Sequence, residues 1–394
     1  MTSPTARSPK RRSSHSVRAG RADGESAPRS AVPWPADDGN GAMARVTLQT
    51  IADRLGVSRM TVSNAFSRPD QLSAPLRERI LAEARELGYV GPDPAARALA
   101  RGTTGAIGVL LTDTLPFAFT DEISVGFLGA VVDGLAPTGL ALTLLTTQPS
   151  DSDVVPARDV AIDGALVYSC HLDSPARDWL LRRKLPLVFV DQEPMAGISS
   201  VNVDDRGGAR AAAQHLVGLG HRRIGIVNTV VEGAAGIVDD PLAAARGHPP
   251  RQRILGWLDG LAGIVPTVVQ TERGAPDDAT TAAETLLAVE PRPTAVLCFS
   301  DVHALGIVRV ARSLGLSVPG DISVVGFDDS RAARHSDPPL TTVRQDVDAK
   351  GRIAASLLTA AIEHARSGTT GRVRHHVLPT ELVVRGSTAA AVSE

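Results

Sequence analysis

The sequence predicts an all-α head joined to a larger α/β body of two similar lobes. Three observations carry this reading. Residues 46–90 fall into short segments with apolar residues at helical spacing and turn signals between them. From Thr104 onward, short Val/Ile/Leu runs alternate with helical stretches, the pattern of buried parallel strands in α/β layers. That stretch is about 285 residues long, more than one ordinary domain, so two lobes are expected.

Composition narrows the class. The chain has 394 residues, 43% hydrophobic and 21% charged, the profile of a water-soluble protein. No apolar run approaches the ~18–20 residues that span a bilayer. Lys10, Arg11 and Arg12 have no apolar stretch after them, so they do not read as a secretory signal. Cys170 and Cys298 stand far apart in apolar runs, which argues against a disulfide framework or a cysteine zinc site and for a reducing cytoplasm. The net charge of −2 is unevenly spread: residues 1–102 hold 16 Lys/Arg against 10 Asp/Glu, and the remainder 25 against 33. A basic head on an acidic body fits a polyanionic partner for the head, although a solvated basic tail would give the same balance.

Four regions follow. Residues 1–43 are rich in Ser, Pro, Arg, Ala and Gly, bury too little to offset their ordering entropy, and read as a disordered extension; Met43 is an alternative start. Residues 44–92 form the helical head, 93–103 a hinge helix or linker, and 104–388 the body. In the head, Thr47 caps a helix Leu48–Leu55, Gly56-Val57-Ser58 turns, Ser58 caps Arg59–Phe66, and Ser73 caps Ala74–Leu87. In the body, strands are expected at Ala106–Leu111, Leu140–Leu145, Ala165–Tyr168, Leu187–Val190, Arg223–Val227, Ala295–Phe299 and Ile322–Phe327. Helices are expected at Asp205–Leu219, Arg253–Gly263, Asp277–Val289, Val302–Leu314 and Val347–Ala365. Pro194-Met195-Ala196-Gly197 and Pro338-Pro339 read as crossings between lobes, and residues 229–251 as a mobile surface loop.

The first two helices have the parts of a helix-turn-helix: small Ala52 at the crossing, Gly56 at the turn, and Val57, Val62 and Phe66 as anchors. Arg59, Met60, Thr61, Ser63 and Asn64 would then face a major groove. Arg reads guanine, Asn adenine, and Met or Thr methyls touch thymine. Ser58, Thr61 and Ser63 could instead hold phosphates. A three-helix packing unit without nucleic acid would use the same apolar pattern. The Ala-rich stretch Pro92–Ala100 is too short for a stable isolated helix. It reads as a plain linker, or as a hinge that folds on DNA with Leu99 wedged into the minor groove and Arg97 supporting it.

These residues resemble a known family. Val46-Thr47-Leu48-x-x-Ile51-Ala52-x-x-Leu55-Gly56-Val57-Ser58-x-x-Thr61-Val62-Ser63, with Leu87-Gly88-Tyr89 and Ala95-x-Arg97-x-Leu99-Ala100, resembles the N-terminal signature of LacI/GalR-family transcriptional regulators. The body adds Asp205-x-x-Gly208-Ala209, His215-Leu216-x-x-Leu219-Gly220-His221-Arg222-Arg223-Ile224, Pro319-x-Asp321-Ile322-Ser323-Val324-Val325-Gly326-Phe327-Asp328-Asp329 and Pro339-Leu340-Thr341-Thr342-Val343. The likeness covers residues 46–386. It implies a body of two Rossmann-like lobes of periplasmic-binding-protein type and a homodimer on a near-palindromic double-stranded operator. It also implies a small-molecule effector, first a sugar or related polyol and otherwise a nucleoside or other small metabolite, and no other cofactor or metal. The tail Gly386–Glu394 is too short and polar for a heptad helix, so a dimer is expected rather than a tetramer. The implied protein is probing DNA at the nucleoid of the cytoplasm, and repression is the commoner outcome. The implied DNA-contacting set is Thr47, Ser58, Arg59, Met60, Thr61, Ser63, Asn64, Ser73, Arg97 and Leu99.

Ligands of two-lobed α/β proteins bind at the carboxyl ends of strands. Asp113, Asp191, Ser300-Asp301 and Asp328 each follow a body strand. By the resemblance, Asp191, Arg210, Trp257, Ser300, Asp328 and Gln345 fall where sugar-type effectors are contacted, with Asp113, Phe117 and Asp301 beside them. Carboxylates and an arginine suit hydroxyls, and an aromatic face covers an apolar sugar face. Any one of these Asp residues could equally be a helix cap, and Trp257 could be core. The chain departs from the family pattern at Ser300 and Leu115, where Asn is common, and at the hinge, which has an extra residue near Gly91 and a second proline, Pro94.

Other classes are disfavoured. There is no G-x-G-x-x-G after the first body strand, no G-x-x-x-x-G-K-[ST] and no G-x-S-x-G, and lysine occurs only at 10, 184 and 350. An enzyme on this fold is therefore not expected. A solute-binding protein without DNA function would leave the head unexplained.

Overall fold

The computed structural model describes residues 46–111, 115–146, 155–168, 174–230, 235–272 and 278–392. The expected disordered extension 1–43, Asp113 and Cys170 lie outside these residues. The described chain divides into two units, one ending at Pro92 and one starting at Asp93.

In the first unit, α1 (Leu48–Leu55) starts where the Thr47 hydroxyl accepts the Thr50 N–H at 3.3 Å and Thr50 Oγ1 accepts the Thr47 N–H at 3.2 Å. This reciprocal cap satisfies two amides that a helix start leaves orphaned. Gly56 ends α1 in the left-handed region at φ 63°, where a Cβ is costly. Ser58 caps α2 (Arg59–Ser67) by accepting the Thr61 N–H at 3.0 Å. Ser73 stands at the cap position of α3 (Ala74–Glu86) but its side chain makes no capping bond, contrary to expectation. Ile51, Ala52, Val62, Ala65, Ile80 and Ala84 form the buried core, with Val57, Phe66 and Leu87 packed on it.

The second unit opens with α4 (Pro94–Arg101), whose first N–H groups are accepted by Asp93 at 2.7 and 3.3 Å. Pro94 lies in the first turn, where its missing N–H costs nothing. The first lobe then runs β1 (Ala106–Leu111), α5 (Leu115–Thr120), α6 (Glu122–Leu135), β2 (Ala141–Thr146), α7 (Pro156–Asp159), β3 (Ala165–Tyr168), α8 (Pro175–Arg182), β4 (Leu187–Val190) and β5 (Ser199–Val203). The second lobe follows with α9 (Asp205–Gly218), β6 (Ile224–Val230), β7 (Gly236–Ile237), α10 (Pro241–Ala244), α11 (His248–Leu261), β8 (Thr267–Glu272) and α12 (Asp278–Leu287). It continues through β9 (Ala295–Cys298), α13 (Asp301–Ser313), β10 (Ser323–Asp328), α14 (Arg331–His335) and β11 (Thr341–Gln345). The chain then returns through α15 (Val347–Ser367) to β12 (His375–Leu378) and ends on β13 (Thr380–Val383).

The first sheet has the order β12-β5-β4-β3-β1-β2 and the second β13-β11-β10-β9-β6-β8-β7. Pairing in the first is parallel, while β7 and β13 join the second as antiparallel edges. The chain therefore passes between sheets after β5 at Asp204, after β11 at Asp346, and between β12 and β13 at Pro379. This corrects the sequence expectation. Pro194–Gly197 links β4 to β5 within the first sheet, and Pro338-Pro339 links α14 to β11 within the second lobe. Proline marked turns there, but a turn signal does not say which sheet the next strand joins. The supposed loop 229–251 contains, in its described part, β7, α10 and the start of α11.

Helix α15 belongs to the first lobe, where Ala354, Ala355, Leu358 and Ile362 share a core with β1, β3 and β4. It lies close against α6 at Gly351, where a Cβ would sit 2.5 Å from Ala130 Cβ. That close approach brings Lys350 to the base of the interlobe cleft. Helices α9 and α11 pair in the same way through Gly256 and Gly260, and this sets Arg253 against the second sheet.

Candidate functional site

The second unit carries a cleft of about 700 Å³, open to solvent, between the carboxyl ends of the two sheets. The first lobe contributes Asp121, Tyr168, Asp191 and, from α15, Lys350. The second contributes Thr229, Arg253, Asp278, Phe299, Ser300, His303, Asp328 and Gln345. Of the expected effector residues, Asp191, Ser300, Asp328 and Gln345 come together here.

Asp191 ends β4 at φ 52° and Asp328 ends β10 at φ 118°. Such backbone is strained for a residue with a Cβ, and it turns each carboxylate across the strand end into the cleft. Asp191 is 7% exposed; its Oδ2 accepts Lys350 Nζ at 2.7 Å, while its Oδ1 has no partner. Thr229 Oγ1, fully buried on β6, also has none. Buried polar atoms are nearly always bonded, and both of these residues line the cleft, so a ligand or a bound water there would satisfy them.

Asp328 Oδ1 accepts Gln345 Nε2 at 2.7 Å and lies 3.9 Å from Arg253 Nη2. Burial pushes the Asp328 carboxyl well above the ordinary range, opposed by Arg253 and reinforced by Asp301. Arg253 donates through Nε to Asp205 at 2.8 Å and through Nη1 to the Phe299 carbonyl. Its guanidinium lies 4.4 Å from the Phe299 ring centroid and 3.5 Å from that of Phe327. A planar cation held this way is rigid, and its Nη2 edge points toward Asp328. Also in the second lobe, Ser300 Oγ bonds His303 Nδ1 at 2.8 Å, and His303 Nε2 lies 3.6 Å from Asp278.

Other expected residues are elsewhere. Arg210 is exposed on α9 and does not line the cleft. Trp257 is 1% exposed and packs in the second-lobe core with Ala212, Leu216 and Ile226. Among the described residues, the cleft is lined instead by the rings of Tyr168, Phe299 and His303. Asp301 sits behind the wall, accepting the Ser330 N–H at 2.7 Å and the Thr342 hydroxyl at 2.5 Å, and burial raises its carboxyl to about 6. Asp113 and the Phe117 side chain lie outside the described residues.

The sequence reading missed Arg253, Lys350, His303 and Thr229. Arg253 precedes Trp257 by one helical turn, but the expected helix was begun at Arg253 itself, and the true start at His248 puts a full turn before it. Lys350 had a weaker signal: it is a lysine inside an apolar helical face, five residues after Gln345.

In the first unit, Ser58, Arg59 and Met60 are exposed at the start of α2, with Met60 at 68%. Thr61, Ser63 and Asn64 are half-buried on the same helix. Thr61 Oγ1 bonds Ser58 Oγ at 2.8 Å, and Asn64 Nδ2 donates to Gln71 Oε1 at 3.2 Å. Thr47 and Ser73 are exposed at helix starts. On α4 of the second unit, Arg97 is exposed, and Leu99 is 87% exposed although apolar.

An α1–α2 pair held by a glycine turn, together with a two-lobed body that has a polar cleft at its strand ends, is the architecture of a helix-turn-helix transcriptional regulator with an effector-binding type of body. Residues 47–91 match the family described as bacterial regulatory proteins, lacI family, and residues 213–388 match the periplasmic binding protein-like domain. An HTH-type transcriptional regulator of Mycolicibacterium smegmatis is 40% identical over 363 residues, covering 88% of this chain and 96% of its own. Among solved structures, the transcriptional regulator CelR–cellobiose complex is 30% identical with a TM-score of 0.61, covering 87% of this chain and all of its own. The lac repressor dimer bound to operator and the anti-inducer ONPF is 27% identical with a TM-score of 0.69, covering 88% and 99%. The chain belongs to the LacI family of transcriptional regulators. Among the described residues no helix is long and apolar enough to cross a membrane.

Proposed function

We propose that this regulator is a cytoplasmic homodimeric repressor whose operator affinity is set by a sugar in the interlobe cleft. The observation that carries the ligand half is the pair of unpartnered polar atoms, Asp191 Oδ1 from the first lobe and Thr229 Oγ1 from the second, lining one cavity. A sugar hydroxyl suits each, and another fits between Arg253 Nη2 and Asp328 Oδ1, donating to the acid and accepting from the guanidinium. Tyr168 and Phe299 offer apolar faces for the sugar ring. The relative in complex with cellobiose supports this ligand class.

In the DNA half, Arg59, Met60, Thr61, Ser63 and Asn64 read base edges, while Thr47, Ser58 and Ser73 hold phosphates. Leu99, with Arg97 beside it, enters the minor groove. Two-fold symmetry of the dimer matches a near-palindromic operator. Because ligand groups come from both lobes, occupancy favours one lobe spacing over another. A coupling of only ~1–3 kcal/mol changes operator affinity about 5- to 150-fold. The test is titration of the protein–operator complex with neutral sugars, followed by fluorescence anisotropy. A sugar that shifts operator affinity at least fivefold supports the reading, and unchanged affinity at sugar concentrations that saturate the cleft contradicts it.

A further inference from the structure

Lys350 has no part in the family likeness described above, yet it is among the most buried side chains in the molecule, at 1% exposure. Its ammonium bonds Asp191 Oδ2 of the first lobe at 2.7 Å and Gln345 Oε1 of the second at 2.9 Å. Gln345 in turn donates to Asp328 at 2.7 Å. Lys350 thus joins both lobes at the point where the chain returns from β11 to α15. The Tyr168 ring lies 5.9 Å from its nitrogen and shields it further.

We propose that Lys350 is the positioning residue of the cleft: it takes one oxygen of Asp191, presents the other to the ligand, and makes the site one for an uncharged, hydroxyl-bearing molecule rather than an anionic one. This rests on the reading of the cleft as the effector site. The charge arrangement carries the second half. Among the described residues, four carboxyl groups line the cleft, from Asp121, Asp191, Asp278 and Asp328, the last held toward its neutral form by burial, against Arg253 and Lys350. Each of the two cations is already balanced by a buried carboxylate, Arg253 by Asp205 and Lys350 by Asp191. Among the described residues, a phosphate or carboxylate entering here meets further carboxyl groups and no cation that lacks a buried carboxylate partner. A hydroxyl meets the vacant acceptor on Asp191. Without Lys350, Asp191 is free to turn, and its orientation toward the ligand is lost.

The chain contains only three lysines, at 10, 184 and 350, so lysine labelling reports on this one directly. Full-length protein labelled with ε-13C lysine is compared with Lys350→Met, Lys350→Arg and Asp191→Asn variants. The expected spectrum has one ε-CH2 signal offset from that of exposed Lys184, absent in Lys350→Met and moved by Asp191→Asn while the other two stay. Calorimetry then uses D-ribose, D-glucose, sorbitol and cellobiose as uncharged probes, with ribose 5-phosphate and glucose 6-phosphate as anionic ones. Binding confined to uncharged probes, weakened at least tenfold in Lys350→Met and partly restored in Lys350→Arg, is the expected result. A Lys350 signal indifferent to Asp191→Asn overturns the proposal. So does tighter binding of a phosphorylated sugar than of its parent, or wild-type affinity in a folded Lys350→Met protein. Failure of every probe to bind, with the Lys350 signal still answering Asp191→Asn, overturns the sugar reading of the cleft and the ligand class stated here, and leaves the Lys350–Asp191 link standing.

Discussion

Arg253 on α11 donates through Nε to Asp205, the first residue of α9, at 2.8 Å, and both side chains are buried. The pair fixes the guanidinium that faces Asp328 in the cleft. Burial raises the Asp205 carboxyl, opposed chiefly by the Arg253 charge, so the arginine keeps that carboxylate tolerable in the interior. Arg253→Met leaves Asp205 alone in a dry site and is expected to cost about 3–5 kcal/mol of stability, read by urea unfolding. Adding Asp205→Asn should restore much of the loss in stability but not ligand binding. If the double variant is no more stable than Arg253→Met, the pair is not the source of the loss.

The second expectation concerns pH. His221 is buried, with Nδ1 2.9 Å from Thr294 Oγ1 and Nε2 3.1 Å from the Ala389 carbonyl, and His215 bonds Thr388 at 3.0 Å. The two rings pin the C-terminal segment that follows β13. Burial lowers both histidines below the ordinary imidazole value. A lowered histidine favours the neutral ring in the fold. Its stabilising contribution is therefore complete above about pH 6.5 and lost as the pH falls through the lowered value. The histidine contribution to the melting temperature should accordingly fall on acidification below about pH 6.5. His221→Gln should show a shallower drop, and an identical pH profile for the two proteins would contradict this. Asp301, raised to about 6, acts oppositely: its penalty grows as pH rises from about 4 to 6, so the histidine slope is read as a difference between variant and wild type.

On the DNA side, Arg59 is exposed at the start of α2 and Asn64 lies one turn further along the same helix. Arg59→Ala and Asn64→Ala should each cost about 1–3 kcal/mol of specific binding. Neither should alter affinity for a ligand of the cleft. Loss of ligand affinity with intact DNA binding would mean that the head has been assigned wrongly.

Leu99 carries the fourth prediction. It is 87% exposed on α4, so Leu99→Ala should change thermal stability by no more than about 0.5 kcal/mol. Operator affinity should still fall at least tenfold, because the substitution removes an apolar wedge that only DNA would cover. Equal operator affinity in the two proteins would rule out the wedge.

The parts of this protein that were readable from sequence are those whose causes are local. Thr47, Ser58 and Gly56 mark helix ends because caps and left-handed turns act over three or four residues. Strands β1, β3, β4 and β9 read plainly because both faces are buried and every residue is apolar or small. Strands β5 and β11 did not, because they bury Ser200, Asn202, Thr341 and Thr342, whose polar groups are satisfied by partners distant in sequence. The same division runs through the cleft. Asp191, Ser300 and Asp328 follow strands that were readable and obey a topological rule, whereas Gln345, at the end of the unread β11, was expected only from the family resemblance. Arg253 and Lys350 arrive on helices, and which face of α11 or α15 turns inward is decided by close packing at Gly256 and Gly351. Arg210 and Trp257 were expected in the cleft from the family resemblance, and the packing of α9 and α11 leaves the first exposed and the second in the core.

The central claim is that the head reads a specific DNA sequence. Its most direct test is selection of bound duplexes from a random pool with the full-length protein at fixed salt. The account predicts enrichment of a near-palindrome of roughly 14–20 base pairs with half-sites a helical turn apart. A pool that stays flat through successive rounds, with the cleft empty and with it occupied by a bound sugar, would contradict it.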